Sequence, residues 1–139
     1  MKSEYITVND EKLDNNNITS RYGELKEILE KYDKFDERIG IQNRAALEDE
    51  LHKMYAELDN THIACKNYRE FEIIKNLRQF ADDREAFNSL DLILCLVILT
   101  FIKVIDDFTY GEMDVLYDNT KNKLVPYTIA RILEIINEG

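Results

Sequence analysis

From Leu92 to Ile102 the chain reads Leu-Ile-Leu-Cys-Leu-Val-Ile-Leu-Thr-Phe-Ile, and no other segment limits the fold as strongly. A run with almost no polar side must be surrounded by other elements. Extending it to Leu90 and Ile105 takes in Asp91 and Lys103, so it falls short of the roughly 20 apolar residues of a membrane span. The string suits a central helix or a central strand. Helix is favoured by its length and by the scarcity of turn residues, with four Gly and one Pro in 139 residues.

The expectation is a mostly α, compact single-domain bundle of about five helices around a central apolar helix near 90–105. Residues 1–17 would form a flexible or edge-strand arm, with a short strand from Tyr5 to Val8, and residues 18–139 a single helical domain. Thr19 or Ser20 can cap a first helix, in which Tyr22, Leu25, Ile28, Leu29 and Tyr32 share a face. A second runs from about Asn43 to Asp59 on Leu47, Leu51, Met54, Tyr55 and Leu58. A third is expected over 61–80, with Ala64, Tyr68, Phe71, Ile74 and Leu77 inward. Asn88 or Ser89 can cap the central helix, with Asp91 in its first turn, and Gly111 ends or kinks it. A turn through Met113, Leu116 and Tyr117 and a polar loop over 118–123 follow. Pro126 then suits the first turn of a last helix closing near Gly139.

Acids flank the apolar run on both sides. Over 82–118 there are nine acids and two bases, a net of −7, within a chain whose net charge is −10. That balance argues against a direct nucleic-acid binder, which needs surplus Lys and Arg to displace counterions, and against anionic membrane. It fits a basic protein partner, including a nucleic-acid-binding protein; its ordinary use is solubility. Cys65 and Cys95 read as reduced core thiols. The start, Met1-Lys-Ser-Glu-Tyr5, has no apolar signal core, so a cytoplasmic location, in a bacterial cell or a phage-infected host, is expected.

Chemistry finds little support. His52 and His62 stand in no zinc-ligand spacing, with His52 expected at the surface. His62 and Cys65 are three apart, as neighbours on a helix turn would be, but a nucleophile also needs a shaped pocket and an oxyanion hole. The four glycines are too scattered for a phosphate loop, and no serine sits in a nucleophile elbow. Counted from Asp106, a calcium loop would need oxygen ligands where Phe108, Tyr110 and Tyr117 stand. No catalytic residue, metal site or cofactor is therefore assigned. Asp106 and Asp107 fall at the negative end of the central helix, where acids are disfavoured by about 0.3–1 kcal/mol each. A feature that opposes local stability can serve function. Tyr110 and Tyr117 add interface-type aromatics to the acids.

The C-terminal half, through Asn88-Ser-Leu-Asp, Leu99-Thr-Phe-Ile, Phe108-Thr-Tyr-Gly-Glu-Met and Ile132-Leu-Glu-Ile-Ile136, resembles an uncharacterised family of small bacterial and phage proteins. The resemblance implies a helical fold and no activity; the family's arginines are replaced here by Val104-Ile-Asp-Asp-Phe108. In size and acidity the chain is similar to phage-encoded inhibitors of bacterial defence, such as anti-CRISPR proteins, several of which are DNA mimics.

The leading expectation is a non-enzymatic acidic binding protein that occupies a basic, nucleic-acid-binding surface of its partner. The contact residues would be Asp82, Asp83, Glu85, Asp106, Asp107, Glu112, Asp114, Asp118, Tyr110 and Tyr117. The alternatives are a homo-oligomeric regulatory or structural protein, such as a homo-dimer with an apolar interface, and a small metal-dependent hydrolase.

Overall fold

A computed structural model of the chain describes residues 5–8, 11–60, 65–110 and 112–138. Residues 1–4 of the expected arm, His62, Ala64, Gly111 and Gly139 lie outside the described residues. The fold is mostly α with one small sheet. Strands β1 (Tyr5–Val8) and β2 (Glu11–Asp14) lead into α1 (Tyr22–Leu29), α2 (Phe35–Ile39) and α3 (Arg44–Asn60). After a chain of 3-10 turns come α4 (Leu92–Phe108), α5 (Val115–Lys121) and α6 (Leu124–Glu138).

Helix α4 is the axis of the molecule. It packs against α5, α6, β1 and the 3-10 segment, and Leu92, Ile93 and Cys95 to Leu99 are all buried. Asp91 caps it, its Oδ1 accepting the Leu94 amide at 2.9 Å. From α3, the buried Tyr55 hydroxyl donates to the Leu99 carbonyl at 2.9 Å. Burial, with the charges of Asp106 and Asp107 added, holds that hydroxyl well above the usual tyrosine range.

Over the described residues 65–80 the expected third helix is not formed. Residues 68–89 instead form short 3-10 turns, Tyr68–Glu70, Glu72–Lys75, Leu77–Phe80 and Glu85–Ser89, broken where Phe71 and Ala81 turn extended. The spacing of the apolar residues explains the difference. Tyr68, Phe71, Ile74, Leu77 and Phe80 recur strictly every third position. In an α-helix such a series slips by about 60° per step, whereas in a 3-10 helix, with three residues per turn, it stays on one side. Phe71 is buried, and the other four pack half-buried against the core.

The N-terminal residues form a hairpin, with Ile6 opposite Leu13 and Val8 opposite Glu11. Ile6, Val8 and Leu13 are buried, so the strand option for the arm is the one realised. Asn67 satisfies the outer edge of β1: its Oδ1 accepts the Thr7 amide at 2.8 Å and its Nδ2 donates to the Tyr5 carbonyl at 2.9 Å. Asp14 and Asn17 close the exit from β2, Asp14 Oδ1 accepting the amides of Asn16 and Asn17 at 2.9 and 3.1 Å. Two links hold the far side. Buried Asp36 of α2 pairs with Lys123 at 2.5 Å, and Arg131 of α6 donates to the Leu90 and Asn88 carbonyls at 3.0 and 3.1 Å.

Ile98→Ala is expected to cost about 2–5 kcal/mol, measured by denaturant unfolding, because the surrounding elements cannot all move in. The raised Tyr55 hydroxyl sets an alkaline limit. A group that binds its proton more tightly when folded stabilises fully below its ordinary value of 10.0, and that contribution is lost as pH rises above it. Stability should therefore fall from about pH 10 upward. Tyr55→Phe should make that decline shallower while lowering neutral-pH stability by about 1 kcal/mol.

Candidate protein-binding surface

The C-terminal half of α4 has two sides of different character. Cys95, Leu99, Ile102 and Asp106 recur at four- and three-residue spacing and are buried. At about 100° per residue, Phe101, Val104 and Phe108 fall on the opposite side. Phe101 meets the Tyr68 ring at 6.0 Å, Val104 is half-buried, and Phe108 is 83% exposed. Thr109 caps the helix, its hydroxyl donating to the Asp106 carbonyl at 3.1 Å. The chain then turns through Tyr110 in the left-handed region, φ 53°, a position usually given to glycine. Asp114, φ 54°, makes a second left-handed turn into α5. Between them the loop displays Tyr110, 90% exposed, and Met113, 65% exposed. Phe108, Tyr110 and Met113 are thus exposed apolar groups close together in the chain, an apolar knuckle, with exposed Asp107 and Glu112 next to them in sequence and Asp118 exposed midway along α5.

The acids expected to form one surface have different fates. Asp106 is a correction: it is 6% exposed, on the inward stripe of α4, with His52 Nε2 at 3.6 Å from its carboxylate. It belongs to the packing and offers nothing to a partner. Asp107 is exposed and pairs with Lys103, one turn back, at 2.5 Å. Asp114 pairs with Arg44 of α3. Tyr117 is also structural: its hydroxyl donates to the Ile41 carbonyl at 3.0 Å, and Arg44 and Lys121 stand 5.1 and 5.8 Å from its ring centre. Asp82, Asp83 and Glu85 are exposed but lie apart from the knuckle. The Asp82 amide donates to the Asn122 carbonyl at 2.8 Å, which fixes it beyond the C-terminal end of α5. Asp83 accepts the Ala86 amide at 3.2 Å. The knuckle precedes the N-terminal end of α5, so Asp107 and Glu112 stand before that helix, about 10 Å long, and Asp82 beyond its other end, with Asp118 midway along it. Phe108 and Met113 were not among the expected contact residues; the inward stripe of α4 already excludes Phe108 from the core.

Beside the knuckle, α3 and α4 leave a pocket of about 140 Å³. Tyr55, Leu58, Leu96, Leu99 and Val104 line it, with Asp59, Thr100, Lys103 and Asp107 completing the wall. Burial pushes the Cys65 thiol up to about 11 and the Cys95 thiol up to about 12, so both stay protonated at neutral pH. His52 faces Asp106 and is exposed, as expected. Elsewhere, hydrogen bonds from Lys31 and Tyr32 hold the Glu57 carboxyl below its usual range, an arrangement that ties α3 to the residues following α1. Among the described residues no three His, Cys, Asp or Glu side chains converge as a cation site requires. Nor is any helix there long and apolar enough to cross a membrane.

Comparison with protein-family models, with curated proteins and with solved structures finds no match to this chain.

The two thiols provide a check on this geometry. Iodoacetamide at neutral pH should leave the native chain unmodified and add two groups once it is unfolded, as read by intact mass. Rapid alkylation of native Cys65 would contradict its burial.

Proposed function

We propose that the chain is a non-enzymatic binding protein whose contact surface is the 107–118 knuckle, docking on a basic and partly apolar surface of a partner protein. The observation that carries this reading is Tyr110. A tyrosine that is 90% exposed and held at φ 53° contributes nothing to the core, and it stands between Phe108 and Met113, also exposed. Exposed aromatics clustered on one loop suit an interface, where Tyr and Met are enriched. The left-handed turn costs about 1–2 kcal/mol for a residue with a Cβ, a local cost that glycine would avoid. The exposed acids Asp107 and Glu112, with Asp118 on the following helix, favour a basic counterpart and speed encounter with it.

The basic surface such a knuckle fits is one that otherwise holds nucleic acid. Blocking it would inhibit the partner, in the manner of the phage inhibitors of bacterial defence that the chain is similar to in size and acidity. The narrower surface also changes the form of the mimicry. Three acids and an apolar centre act as an anchored plug, not as a long rail of phosphate-like charge.

The test is capture of a partner from bacterial lysate at low and raised salt, with the partner's release from its nucleic acid as the functional readout. Tyr110→Gly should leave the melting temperature unchanged or higher, because glycine is at ease at positive φ, yet weaken capture at least about tenfold. Replacing Asp107, Glu112 and Asp118 by their amides should weaken capture and flatten its salt dependence. Capture that is indifferent to salt and to Tyr110 sinks the proposal.

A further inference from the structure

We infer that the pocket between α3 and α4 is an anchor site for one apolar side chain of a basic partner segment, seated beside the knuckle. The inference rests on the binding reading above and adds the chemistry of the segment that is bound. The pocket volume, about 140 Å³, is that of a single ring or branched aliphatic group; an apolar cavity of about 150 Å³ holds one benzene. Its floor is apolar, from Leu58, Leu96, Leu99 and Val104. Among the described residues that line it, the buried polar group is the Tyr55 hydroxyl, already committed to the Leu99 carbonyl at 2.9 Å. That hydroxyl is thus closed to a polar occupant, and the remaining polar side chains, Asp59, Thr100, Lys103 and Asp107, stand in the wall and are not buried, so the floor itself favours an apolar group.

Two features join the pocket to the knuckle. Val104 lines the pocket and lies one helical turn before Phe108. Asp107 lines the pocket and directly precedes Phe108. One segment laid along α4 can thus fill the pocket and touch the exposed ring. The rim sets its charge: Asp59 and Asp107 stand against Lys103, whose ammonium is already paired with Asp107 at 2.5 Å. Beyond the rim the exposed charges of the knuckle are acidic. A second copy of this chain would bring the same acids and a net charge of −10 to that rim, so a Lys- or Arg-flanked segment from another protein is the complementary occupant. A filled central pocket with a charged rim is the arrangement of an interface hot spot.

The experiment uses the full chain with methyl-labelled Leu and Val and three synthetic pentapeptides: Lys-Lys-Phe-Lys-Lys, its Phe-to-Ala counterpart, and Glu-Glu-Phe-Glu-Glu. The first should shift the methyl resonances of Leu58, Leu99 and Val104 saturably. The alanine peptide should bind at least about tenfold more weakly, and the acidic one should not bind. Val104→Phe, which closes the mouth from a half-exposed position, should abolish the methyl shifts at an unchanged melting temperature. If that variant is less stable, the phenylalanine-against-alanine comparison on the unmodified chain still decides. Equal binding of the two basic peptides, with shifts confined to the 107–118 amides, overturns the anchor pocket and leaves the binding reading standing. Equal binding of the acidic peptide overturns the assignment of a basic partner. A dimer that Val104→Phe dissociates gives the pocket to a second copy and overturns the proposal. No saturable shift with any peptide overturns both readings.

Discussion

The fold depends on hiding a helix that is apolar almost all round. From Leu92 to Leu99 helix α4 has no exposed side, so one bundle partner cannot satisfy it. Helices α5 and α6, strand β1 and the 3-10 segment each cover part of its surface. The small hairpin and the irregular 65–90 stretch, which look like accessories in a helical protein, are therefore walls of the core. Phe71 and Phe87 from that stretch and Ile6 and Leu13 from the hairpin are fully buried in it.

Walls made of irregular chain leave backbone groups that no helix ladder satisfies, and side-chain amides and charged groups take up that work. Asn67 hydrogen-bonds both ways along the edge of β1, and Arg131 collects two carbonyls ahead of α4. Among the described residues no buried side-chain nitrogen or oxygen is left without a partner. These contacts join positions 41 to 62 residues apart, so no local pattern announces them.

That division governs what could be read from the chain. Features set by local periodicity were legible: the central helix, the stripe of α3, and Pro126 in the first turn of α6. The stretch 68–80 misled because a period of three was taken for one of 3.6; Tyr68, Phe71, Ile74 and Leu77 do face the core, from a series of short 3-10 turns where one α-helix was expected. At the candidate site the acids dominated the reading because charge is visible in sequence while burial is not. Yet Asp106 falls on the same inward stripe as Leu99 and Ile102, and strict counting removes it from the surface. Tyr117 could not have been sorted that way, since its role comes from Ile41 and Arg44, far away in the chain.

Asp106 and Asp107, adjacent in sequence, show how the end of α4 serves packing and surface together. Both acids oppose the helix dipole, and each has a nearby base, His52 for one and Lys103 for the other. The 100° step between them turns Asp106 inward and leaves Asp107 at the pocket rim, one residue before the first exposed aromatic ring. Past Phe108 the helix cannot continue as it began. Another apolar turn would need more chain to cover it, and α5 already begins at Val115. The helix ends at Phe108, already on its outward side, and the left-handed turn at Tyr110 follows the Thr109 cap and leaves the Tyr110 side chain exposed. The exposed knuckle is thus a consequence of how the buried helix stops.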